Sequence, residues 1–182
     1  MGAMLGREAV FWTAAGAVVL WLTRVERLPL SSLGIRRPTG RGMGIAVLAA
    51  VIVTAFMVIQ FAVVIPLLHL NPADALARQN AILGTPYWYR VLLVLRAAVV
   101  EELLFRGYMI EKVRQLSGSP TLAVIVSVAA FTLAHLRGWG AVHLIPVAAG
   151  ATVLALLYLW RRDLPSNILA HFLSDAAGFL TR

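Results

Sequence analysis

The chain has 182 residues, of which 60% are hydrophobic, 16 are basic and 8 acidic, giving a formal net charge of +8; its mean hydropathy is +0.84. Soluble domains are roughly half apolar, so this composition points to a polytopic membrane protein, and arginines scattered between apolar runs set topology rather than bind nucleic acid. The lack of cysteine excludes disulfides, thiol nucleophiles and thiolate-bound zinc.

Crossing a bilayer takes about 20 mainly apolar residues. Six stretches qualify in chain order: Ala9 to Thr23, Gly44 to Leu68, Pro86 to Tyr108 with a polar extension to Gln115, Thr121 to Leu136, Gly140 to Trp160, and Leu164 to Leu180. The first has no cleavage site at its end and reads as a retained helix, not a signal peptide. Arg24, Arg27, Arg36, Arg37 and Arg41 lie in the connection that follows, which makes it a cytoplasmic loop and puts both termini outside. Asn71 to Pro86, with Asn-Pro, Gly84 and a second proline, reads as a break. It divides the chain into residues 1–85, an N-terminal helix pair with its basic loop, and residues 86–182, a four-helix core. The predicted fold class is all-α, a membrane bundle of about six transmembrane helices embedded in the lipid bilayer, expected in the cell membrane of a prokaryote.

The third stretch holds Glu101, Glu102 and Arg106. An ionised side chain at bilayer depth costs ~3 kcal/mol even on lenient scales, so such residues mark functional sites. On an α-helix Glu102 and Arg106 share a face and can pair, while Glu101 points about 100° away. At α-helical spacing Glu101 has no local partner, and Arg96 has no acid three or four residues on; its role stays open. Phe131 and His135 share a face of the fourth stretch, and Asn167, His171 and Asp175 form a stripe along the last. Each polar residue singly is as consistent with interhelical packing as with chemistry; a glutamate, two histidines and an aspartate within four helices favour an enzyme or a proton-coupled site.

If the third and fourth helices turn at Ser117 to Pro120, Glu101 and His135 each lie about 16 residues from the tip, ~24 Å at 1.5 Å per residue. They meet at one level. His171 reaches that level if the hairpin tip projects about 12 Å beyond the start of the last helix.

The motifs Glu101-Glu102-x-x-x-Arg106, Phe131-x-x-x-His135 and His171-x-x-x-Asp175, in this order on successive helices, resemble those of the CPBP (CAAX protease and bacteriocin-processing, or Abi) family, related to type II CAAX prenyl endopeptidases. Gly150 with Leu157-Tyr158, and Pro165 to His171, resemble the family's last two core helices. The resemblance spans roughly Pro86 to Gly178. It implies hydrolysis of a peptide or protein substrate in or at the membrane. The position four after the second histidine is Asn in some members and Asp in others; here it is Asp175. The catalytic set is then Glu101, His135, His171 and Asp175, with Glu102, Arg106 and Asn167 as structural support. Glu101, assisted by His135, is placed to deprotonate a water, and His171 to donate to the developing oxyanion. A divalent metal such as zinc on Glu101, His135 and His171 is the competing arrangement, although no His-Glu-x-x-His is present.

Two other classes fit the same residues: a non-proteolytic immunity or scaffold protein of the same fold, and a small proton-coupled transporter, which lacks the expected inverted repeat. His69 and His143 lie near span ends and read as solvated or capping residues.

Overall fold

The six apolar stretches form six long helices, and a short seventh fills the connection read as a break. The computed structural model describes residues 2–181. Helix α1 is Gly2–Leu20, closing in a π-wound turn Trp21–Val25. A 3₁₀ turn, Leu30–Leu33, follows. Helix α2 runs from Gly40–Ile59 through Gln60–Val64 and Ile65–Leu67, and α3 is Ala73–Leu83. Helix α4 joins Tyr87–Arg96, a π-wound Ala97–Ile110 and Glu111–Ser117 without interruption. Helices α5, α6 and α7 are Pro120–Trp139, Leu144–Arg161 and Leu164–Phe179. No strand occurs among the described residues.

Asn71-Pro72 starts a helix instead of ending structure. The Asn71 side-chain oxygen accepts from the Ala73 N–H at 3.0 Å, and Asp74 occupies the first turn of α3, where a negative charge favours the helix N-terminus. The α4–α5 hairpin turns where the sequence predicts. Gly118, at φ 70°, ends α4 in the left-handed conformation that glycine adopts without strain, and the Ser119 hydroxyl accepts from Leu122 N–H at 3.2 Å to cap α5.

Four helices, α1, α2, α5 and α6, are long and apolar enough to cross a membrane. The charges concentrate on α4, which touches α1, α5, α6 and α7, so that Arg96, Glu102 and Arg106 are buried against protein. Helix α2 presents Val47, Leu48, Val51, Ile52 and Val58 outward, as a lipid-facing surface requires. Its other face packs Ala46, Ala49 and Val53 on Leu154, Leu157 and Ala170; small residues let membrane helices approach closely in this way. At Gly42 the approach is closest: a Cβ there would stand 2.8 Å from Ser166 Oγ.

Asp163 caps α7, accepting from Ser166 N–H at 3.2 Å, Ser166 Oγ at 2.6 Å and Arg161 at 3.2 Å. Burial opposes its charge, but the bonds from Ser166 and then Arg161 outweigh that and hold the carboxyl below its usual range. A carboxyl with a depressed folded-state pKa adds stability above the unfolded value, ~3.9 for Asp, that is lost as pH falls through the folded value. Asp163→Ala should therefore lower stability by about 1 kcal/mol at neutral pH, and the gap from the parent should close on acidification below about pH 4. Thermal unfolding in detergent across that range measures it; a gap that widens toward acid contradicts the capping role.

Candidate functional site

The hairpin geometry sets Glu101 level with His135: Glu101 Oε2 and His135 Nε2 are 3.9 Å apart. The His135 ring is held from its other side, where Nδ1 lies 2.8 Å from the Phe131 carbonyl, and its face lies 4.6 Å from the Phe131 ring. An Nδ1–H donated to that carbonyl leaves Nε2 as the nitrogen facing Glu101. Both side chains keep some exposure, 16% for Glu101 and 21% for His135.

Behind them sits a closed polar cluster. Glu102 is fully buried and accepts from Arg106 at 2.8 Å, from Asn167 at 3.1 Å and from His171 Nδ1–H at 2.9 Å. Arg106 also donates to the Ala151 carbonyl at 3.2 Å, and its guanidinium lies 4.3 Å from the centre of the Phe131 ring, a cation–π contact on the aromatic that also orients His135. Asn167 gives a second bond to the Leu154 carbonyl at 2.8 Å. The cluster thus ties α4, α6 and α7 together, and it fixes which nitrogen of His171 is free. Nε2 points toward Asp175, 3.6 Å away, on the side where exposure rises to 25%.

Glu101 does have a local partner, which corrects the expectation drawn from α-helical spacing. Arg96 donates to Glu101 Oε1 at 2.9 Å. The two are five residues apart, and π winding, with i→i+5 hydrogen bonds, brings such residues one above the other. Arg96 is thereby accounted for, and it has a second acid: its Nε–H donates to Glu8 of α1 at 2.9 Å. Glu8 also accepts from the Tyr89 hydroxyl at 3.0 Å. Glu8 carried no sequence signal, because it stands one residue before the first apolar stretch, outside the rule that singled out Glu101 and Glu102.

His69 is exposed, as expected. His143 is not solvated: it is buried in the α5–α6 connection, stacked on Trp139 at 4.5 Å. Burial, and then the nearby His135, push it down to about 4. The proton-bearing form is the one that burial penalises.

As arranged, Glu101, His135 and His171 are not gathered as a ligand set, and among the described residues no three His, Asp or Glu side chains are. One nitrogen of each histidine is turned to a protein acceptor. The other nitrogen, Nε2, faces an acid in each case, Glu101 for His135 and Asp175 for His171.

What the arrangement offers is a partly exposed carboxylate–imidazole pair on facing helices, a second imidazole fixed by a buried carboxylate, and an acid beside it, all in an apolar bundle. No curated protein and no solved structure matches the chain. A family model described as type II CAAX prenyl endopeptidase Rce1-like matches residues 83–177. That interval carries Glu101, Glu102, Arg106, Phe131, His135, Asn167, His171 and Asp175, and with about half the sequence matched, this membrane-embedded helical bundle belongs to the Rce1-like family of type II CAAX prenyl endopeptidases.

Proposed function

We propose that the protein is an intramembrane endopeptidase in which Glu101 and His135 activate water for attack on a peptide carbonyl. The observation that carries this reading is the 3.9 Å separation of Glu101 Oε2 and His135 Nε2. It is too long for a direct hydrogen bond and suits one water accepted between them. The water donates one proton to Glu101 while its oxygen attacks the carbonyl carbon. Negative charge develops on the carbonyl oxygen, where His171 Nε2, carrying a proton, is the donor. Collapse of the tetrahedral intermediate breaks the C–N bond, and the proton taken by Glu101 passes to the leaving amine. Asp175 positions the Nε2 side of His171. Glu102, Arg106 and Asn167 hold the scaffold and touch no reacting atom.

The family description reads type II CAAX prenyl endopeptidase, so peptides ending in a CAAX motif, with and without a prenyl group, are the first substrates to try. Purified protein in detergent should cleave the prenylated peptide, and cleavage should persist after dialysis against a strong chelator. Chelator-abolished activity restored by zinc sinks the metal-free mechanism. Cleavage of neither peptide, nor of a random peptide library, sinks the protease reading in favour of a scaffold.

A further inference from the structure

The N-terminal end of α1, helix α3 and the start of α4 enclose an open cavity of about 310 Å³ that the proposed chemistry does not use. Met4, Ile82 and Leu93 line its apolar side, and Arg7, Arg78 and Tyr89 its polar side. Arg7 has partners, donating to Glu8 at 3.3 Å and to the Tyr89 hydroxyl at 2.9 Å. Arg78 makes no hydrogen bond and no ion pair among the described residues. The Nε–H of each arginine is buried without an acceptor. Burial, and then the charge of Arg7, hold the Arg78 guanidinium below its ordinary range. Two guanidiniums are thus brought to one cavity that no acid lines, and Glu8, the acid that Arg7 reaches, is also committed to Arg96.

We infer that this cavity binds a phosphate-bearing anion, either the headgroup of an anionic phospholipid or free phosphate. Paired guanidiniums offer forked donors that match phosphate oxygens, where an ammonium offers a point charge. A bound anion would cancel the repulsion between the two arginines. The location favours a headgroup: Met4 begins a membrane span, Arg7 is one turn further on, and α3 lies in the connection between two spans. Exposed Tyr87 and Trp88 stand at the start of α4, as aromatic residues do at the membrane interface.

The test uses the full-length protein in two arms. Thermal stability and native mass spectrometry are measured with inorganic phosphate in detergent, and in nanodiscs of phosphatidylglycerol against phosphatidylcholine. The parent should be stabilised by one or both anions, with preferential retention of phosphatidylglycerol if the headgroup is the natural occupant and response to phosphate alone if it is not. Arg78→Gln should weaken binding at least tenfold in whichever arm responds, leaving stability without anion unchanged or raised. Ala81→Glu, which places a carboxylate in the same cavity, should abolish binding independently should Arg78→Gln fold poorly. No stabilisation by either anion, or equal binding by the parent and both variants, overturns the site.

Discussion

Glu101→Gln should leave the protein folded and reduce peptide cleavage by ~10²- to 10⁴-fold, the usual loss when a general base is removed. Shape is conserved, and the amide oxygen still accepts from Arg96, which donates at 2.9 Å in the parent. Arg96 also keeps Glu8 at 2.9 Å, so the substitution strands no buried cation. His135→Ala should fall by a similar factor, and the double variant should be little worse than either single one, because both groups act on one water. Initial cleavage rates beside gel filtration and thermal unfolding separate the possibilities. Normal rates, or a protein that no longer folds, would make Glu101 a structural acid.

Glu102 and Arg106 should behave in the opposite way. Glu102 and Arg106 are both fully buried, and the carboxylate has three donors. Removing either charge leaves the other uncompensated, at ~3 to 5 kcal/mol. Glu102→Leu also frees Asn167 and His171 from their shared acceptor. Removing both charges with apolar side chains should cost less than the sum of the single changes, since neither ion is then left alone. A double-mutant cycle on unfolding temperature measures the coupling; additive effects would show that the pair stands independently. Activity should fall with stability in every Glu102 variant, because His171 loses the contact that fixes its tautomer.

Much of this was legible from residue type and spacing. Six apolar stretches gave six helices, because backbone in a membrane must satisfy its hydrogen bonds within helices. The Glu102–Arg106 pair followed from an i,i+4 relation that survives in the structure at 2.8 Å, and the level meeting of Glu101 with His135 followed from counting residues to a glycine–serine turn. The Arg96–Glu101 contact was hidden because helical wheels assume α winding, and nothing in Ala97–Ile110 announces a π-helix. Glu8 was hidden for another reason. Its partner lies 88 residues away, and long-range pairing leaves no periodic trace. Helix α3 was missed because Asn-Pro serves equally as a breaker and as a helix start.

The Glu8–Arg96 contact constrains how the bundle is assembled. Synthesis proceeds from the N-terminus, so α1 leaves the ribosome with Glu8 paired to its neighbour Arg7 alone, before the buried partner Arg96 is made. Its span is also the least apolar of the four, with a mean hydropathy of 1.3 against 2.7 for α2. A carboxylate near the end of a span can wait at the water boundary, where the cost of an unpaired charge is small. Once α4 is made, Arg96 offers the acid a buried partner, and through the same guanidinium Glu8 is joined to Glu101. A fragment beginning at α4 would leave Arg96 with Glu101 as its one acid and without the cover of Glu8, so the first helix completes the charge balance of residues 83–177.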